Sequence, residues 1–289
     1  MNYTIKNDFL NVEINSYGAE LQSIKKNNIE YLWQGDEKTW KNKATNIFPF
    51  VGKMQDGKYM YKGQTYEMGS HGLARHIDFL VDSKEENKII FKMESNEYTL
   101  KSYPFNFEYF IIYELKNNTL IITLKLINKD NKEMYFGLGG HPGFIVPLDD
   151  SLAFEDYYLE FDDCSKPTSI RTTSKGLISY KEEFILKDDK ILNLTHNLFD
   201  NDALIFENIS KGVTLKSDKD NKSIYVKYDN MSYLGIWHTP KTSANFVCIE
   251  PWTSLPSRDG VIEDIEKQDN LICLESNKKY ENSWSITIN

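Results

Sequence analysis

Two of the five histidines in this 289-residue chain stand in settings suited to an imidazole that works on a ligand. His71 lies in Gly69-Ser70-His71-Gly72, and His141 in Gly139-Gly140-His141-Pro142-Gly143. Glycine removes bulk beside a ligand and tolerates backbone angles that other residues avoid. Either histidine alone is adequately explained as a turn residue bonded to a local carbonyl. His141 carries more weight, because its glycines and proline predict a stiff, exposed platform. A carboxylate to match it occurs in Cys248-Ile249-Glu250-Pro251-Trp252, after the apolar Phe246, Val247 and Ile249. The proline predicts a strand end there. An acid beside Trp252 loses solvent, which raises its proton affinity toward that of a useful base. The plainer alternative is a surface glutamate on an edge strand. A cation, Lys53, closes the aromatic, glycine-containing stretch that begins at Asn46, where a solvated lysine beside a hairpin turn is the competing reading. His76, His196 and His238 are assigned to structure or surface, although Trp237-His238 could border a cleft.

Strands must position these groups. Alternation of period two dominates the chain. In Thr119–Ile127, Leu120, Ile122, Leu124 and Leu126 share one face, and Phe107–Leu115 precedes it across the turn Lys116-Asn117-Asn118, so the two segments predict a hairpin. Similar runs occur at Phe9–Ile14, Ile89–Glu94, Gly212–Ser217, Ile224–Tyr228 and Trp284–Ile288. Helical periodicity is confined to short segments near Asp36–Asn42 and Leu192–Phe199. With no linker, repeat or low-complexity tract, the expectation is an all-β chain, residues 1–289 forming a single domain of two large antiparallel sheets packed face to face. Aromatic residues make up 13% of the chain, which favours strands and also suits a sugar cleft, since sugar C–H faces stack on rings.

Bulk properties narrow the partners. A formal net charge of −9 repels a phosphate backbone, so nucleic acid is excluded as a partner. No apolar run is long enough to span a membrane, and the first residues carry no secretory signal. Cys164, Cys248 and Cys273 are scattered without a CxxC pattern, which fits a reducing cytoplasm and no disulfide framework. HExxH, GxSxG and P-loop patterns are absent, so no metal or nucleotide cofactor is expected.

Five blocks in fixed order carry a family resemblance: Phe48–Lys53, Ser70-His71-Gly72-Leu73-Ala74-Arg75, Gly140-His141-Pro142-Gly143-Phe144, Asp202–Asn208 and Ile249-Glu250-Pro251-Trp252. Together they resemble the aldose 1-epimerase (galactose mutarotase) family, in its shorter LacX-type branch, from Gly18-Ala19-Glu20-Leu21 to the C-terminal strand. The resemblance implies a galactose mutarotase-like β-supersandwich. It also implies His141 as general acid, Glu250 as general base and His71 as a second active-site histidine. Asp202 resembles the family's sugar-hydroxyl-binding aspartate, and Arg75 and Trp237 are further candidates to line the cleft. Lys53 stands where many relatives carry arginine. A mobile point charge there replaces a planar fork.

The implied reaction suits this inventory. Opening a pyranose removes the proton of the C1 hydroxyl and adds one to the ring oxygen; closure on the other face runs the transfers backward. One acid and one base suffice, each contributing roughly 10²–10⁴-fold. Glu250 must start ionised and His141 protonated. The partner is therefore a small-molecule aldose, with the oligomeric state left open. Lys53 and Arg75 could instead hold the phosphate of a hexose 6-phosphate. A non-catalytic sugar-binding protein on the same scaffold is the alternative of another class. A hydrolase or lyase fits less well, because hydrolases usually need two carboxylates across the bond.

Overall fold

A computed structural model describes residues 1–163 and 166–289; Cys164 lies outside the described residues. The predicted hairpin forms, with Phe107–Lys116 paired antiparallel to Thr119–Asn128. Its alternation is strict: Tyr109 opposes Leu126, Ile111 opposes Leu124 and Tyr113 opposes Ile122, all buried on one face. Among the described residues these strands are central to a nine-stranded sheet. Thr119–Asn128 continues to Lys279–Ile288, Ser223–Lys227 and Gly212–Lys216 on one side, and Phe107–Lys116 continues to Lys88–Glu94 and Leu80–Lys84 on the other. Each run predicted as a strand falls on one, with ends displaced by a residue or two except for Trp284–Ile288, whose strand begins earlier, at Lys279.

A seven-stranded sheet covers this one. Its order is Ile178–Glu183, Thr168–Thr172, Leu204–Glu207, Tyr233–Trp237, Phe246–Trp252, Gly139–Ile145 and Ala44–Ile47. The inner faces meet directly. Phe48 stacks on Tyr109 with ring centroids 4.6 Å apart, and Tyr113 Oη donates to the Ala19 carbonyl at 2.7 Å. One apolar cluster runs from Ile5 to Ile288 between the sheets. The fold is the expected sandwich of two large antiparallel sheets, with a four-stranded N-terminal sheet over Asn2–Glu30 beside it. Among the described residues no helix is long and apolar enough to cross a membrane.

Several local expectations need correction. Asp36–Asn42 is a turn, held by the Thr39 amide donating to the Asp36 carbonyl, and Leu192–Phe199 divides into the end of a strand and a 3-10 turn over His196–Phe199. Both segments are too short to pay the nucleation cost of a helix unaided. Among the described residues the α-helix that does form, Glu97–Ser102, is fixed by a reciprocal cap: Asn96 Oδ1 accepts from the Tyr98 and Thr99 amides, and Thr99 Oγ1 accepts from the Asn96 amide.

The largest correction concerns Gly139–Ile145. It is no exposed platform but an extended, buried strand, flanked by Phe246–Trp252 on one side and the edge strand Ala44–Ile47 on the other. Its glycines make room for tryptophans. A Cβ on Gly140 would lie 2.3 Å from Trp284 Cζ2 of the opposite sheet, and one on Gly143 would lie 2.9 Å from Trp40 Cζ3. Likewise Pro251 does not end its strand, which runs on to Trp252.

Candidate active site

Glu250 and His141 are brought together by register. Gly139 pairs with Trp252 and Gly143 with Cys248 on the neighbouring antiparallel strand, which sets His141 directly opposite Glu250. Side chains directly opposite on one face of such a pair stand roughly 4.5–5.5 Å apart at Cβ. Between these two pairings lie Pro142 and Pro251, neither of which has an amide to donate across the strands. His141 Nε2 is 3.3 Å from Glu250 Oε2, and both side chains are buried.

The pair opens into a cavity of about 240 Å³ on the face of the seven-stranded sheet turned away from the main core. Every residue singled out from sequence for the site lines it: Lys53, His71, Arg75, His141, Asp202, Trp237 and Glu250. The volume falls below the roughly 300–1,000 Å³ of drug-sized sites, a scale suited to one monosaccharide. Three strands supply His141, Trp237 and Glu250, and loops supply the rest.

The loop residues are held by backbone. His71 sits at φ 61°, and its amide donates to the Gly52 carbonyl at 2.8 Å. In return the Gly52 amide donates to His71 Nδ1 at 3.2 Å, so the neutral ring carries its proton on Nε2. Gly72 follows at φ 76°, where a Cβ would lie 2.2 Å from the Phe48 carbonyl oxygen; here the glycine flank has the role expected of it. Asp202, at φ 81°, accepts at Oδ1 from Trp237 Nε1 and from the Ala203 amide, each at 3.0 Å. Arg75 occupies a 3-10 turn over Ala74–His76. Neither Lys53 nor Arg75 forms a side-chain ion pair among the described residues.

Electrostatics depart from the expected imidazolium and carboxylate. Burial draws His141 well below the usual histidine range, and the facing His71 and Arg75 add to the effect. Burial pushes Glu250 well above the carboxylate range; the charge of Asp202 adds to this and the Trp252 indole opposes it. Burial, reinforced by Arg75 and Lys53, pushes the His71 imidazole down to about 3. Burial therefore holds both His141 and Glu250 toward their neutral forms, a state in which the exchangeable proton of the pair stays on Glu250. Its transfer from Glu250 to His141 produces the charged pair.

Trp40 was not legible as a site residue. Its ring stacks on His141 with centroids 4.8 Å apart and meets Trp237 edge-on at 5.7 Å. The only hint was an aromatic within the polar run Asp36–Lys43. Thr172, Gly176 and Pro256 also line the cavity and carry no signal in the sequence. His196 and His238 pair with each other at 3.2 Å away from it, as expected of structural histidines.

Known proteins share this sequence pattern and fold. The family model described as Aldose 1-epimerase matches residues 1–283. Protein LacX of Lactococcus lactis subsp. lactis, in its plasmid and chromosomal forms, is 32% identical over 303 aligned positions, covering 100% of this chain and 99% of LacX. A galactose mutarotase related enzyme from Lactobacillus acidophilus superposes with a TM-score of 0.96 at 34% identity, covering 100% of this chain and 97% of that one. A galactose mutarotase-like protein from Lactobacillus casei superposes with a TM-score of 0.95 at 30% identity, covering both chains fully.

Proposed function

Because the chain belongs to the aldose 1-epimerase family, we propose that it interconverts the α and β anomers of a free hexose, with His141 as general acid and Glu250 as general base. One observation carries this reading: the two groups stand 3.3 Å apart on the wall of a cavity of monosaccharide size. The reacting oxygens of a pyranose, O1 and the ring oxygen, are bonded to the same carbon. An acid and a base that act on them must be neighbours. Glycoside hydrolysis instead separates its two carboxyl groups by roughly 5–9.5 Å.

The sugar completes the proton arrangement. Its hydroxyls donate to Glu250 and replace the solvent that burial removed, so the exchangeable proton moves to His141. Glu250 then accepts the O1 proton while His141 protonates the ring oxygen. After rotation about C1–C2, closure returns both protons, and the pair again holds one. His71, whose neutral ring carries its proton on Nε2, donates to the sugar, and Asp202, oriented by Trp237, accepts from a sugar hydroxyl. Trp40 buttresses His141 by stacking. The whole chain acts as one domain around this site.

Lys53 and Arg75, both on the cavity wall and without an ion pair among the described residues, favour a second substrate, a hexose 6-phosphate. Anomer exchange measured by NMR over galactose, glucose and glucose 6-phosphate tests both. Acceleration of the neutral sugars supports the first reading, and exchange restricted to the phosphate, abolished by Lys53→Met, supports the second. Sugar binding without acceleration of any aldose refutes catalysis and leaves a sugar-binding protein.

A further inference from the structure

One potential donor beside the acid–base pair takes no part in the proposed reaction. Cys248 lies two residues before Glu250 on the same strand, so both side chains project to the same face. Ligand atoms of His141, Cys248 and Glu250 all fall within 4.8 Å of one another. Glu250 is 1% exposed, and its Oε2 makes no hydrogen bond although it points at His141. A buried, unpartnered carboxylate oxygen beside an imidazole and a thiol is a donor set of mixed hardness, suited to a borderline-soft cation.

We propose that His141, Cys248 and Glu250 form a binding site for a thiophilic divalent cation, best matched by Zn²⁺, whose occupation blocks the sugar cavity. Bond lengths of about 2.3 Å to sulfur and about 2.0–2.2 Å to nitrogen and oxygen set the ligand atoms of a tetrahedral zinc about 3.3–3.7 Å apart. The ligand atoms, within 4.8 Å of one another, need to draw together by roughly 1 Å to meet that geometry. Three protein ligands leave the fourth position for water, facing the cavity that His141 and Glu250 line. Sequence spacing concealed this set, since 107 residues separate His141 from Cys248 and only strand pairing joins them. Binding releases the thiol proton and the exchangeable proton of the pair, two in all, so affinity rises with pH.

The site rests on the donor geometry alone, whereas the inhibition it implies rests on the proposed function, so binding and rate are read separately. Cobalt titration of the chelator-treated protein is expected to give one saturable equivalent, with a near-ultraviolet thiolate-to-cobalt band that Zn²⁺ displaces. The band is expected to persist in C164S/C273S and to vanish in C248S, whose Zn²⁺ dissociation constant rises about 100-fold or more. A galactose excess is expected to weaken metal binding, and zinc to inhibit anomer exchange competitively with sugar. Absence of the band in the native protein, or its persistence in C248S, overturns the site. If C248S does not fold, the test passes to H141N, which is expected to weaken cobalt binding at least tenfold while the thiolate band remains; unchanged affinity there overturns the site as well. A thiolate band in a protein that exchanges no sugar refutes the proposed function and leaves the metal site standing.

Discussion

Replacing Glu250 by glutamine isolates the proton-accepting step. The amide has nearly the shape of the carboxyl group and keeps its place opposite His141 in the strand register. Burial already holds Glu250 toward its neutral form, so the substitution exchanges one neutral group for another. The fold therefore loses little, about 1 kcal/mol or less. Chemistry loses much more. A positioned general base contributes roughly 10²–10⁴-fold, equivalent to about 2.7–5.4 kcal/mol at 1.36 kcal/mol per decade. Anomer exchange is to be followed by NMR saturation transfer at saturating sugar with chelator present, and the uncatalysed rate subtracted. Binding is to be measured separately by calorimetry with a 1-deoxyhexose, which lacks O1 and cannot ring-open. E250Q is expected to lose at least about a hundredfold in kcat while its Kd for the deoxy sugar changes less than about threefold. A kcat within tenfold of the native value would refute Glu250 as the base. A loss in affinity equal to the loss in rate would assign it to binding instead.

Other perturbations probe the same arrangement. Activity requires the His141–Glu250 pair to hold one proton; acid adds a second at the depressed His141 and alkali removes the last from the raised Glu250. The pH profile of kcat/KM is therefore a broad bell whose acid limb lies below the usual histidine value of 6.5, and an acid midpoint at or above 6.5 contradicts the burial argument. Gly143→Ala places a methyl 2.9 Å from Trp40 Cζ3 and 3.2 Å from Trp33 Cβ, which pushes Trp40 off the His141 ring. Overpacking of this kind costs about 1–3 kcal/mol, so melting and exchange rate are expected to fall together, and a native exchange rate in a destabilised variant removes Trp40 from the mechanism. Trp237→Phe keeps the ring but deletes the 3.0 Å bond to Asp202 Oδ1; KM is expected to rise about tenfold with kcat nearly unchanged, and an unaltered KM shows that Asp202 needs no such support.

The residues themselves carried much of this molecule's architecture. Strict alternation in Phe107–Leu115 and Thr119–Ile127 specifies a hairpin with one buried face, because a one-residue slip would turn every apolar side chain to solvent. Ordered motifs around His71, His141 and Glu250 marked residues of the cavity wall through the family they resemble. What the glycines do there was decided only in three dimensions. Gly140 and Gly143 serve Trp284 and Trp40, which approach from the opposite sheet and from a distant loop, and no local pattern records a partner so far along the chain. The same holds for the neutral charge state of His141 and Glu250. Desolvation depends on everything packed around a group, and 109 residues of chain separate two side chains that strand register sets face to face.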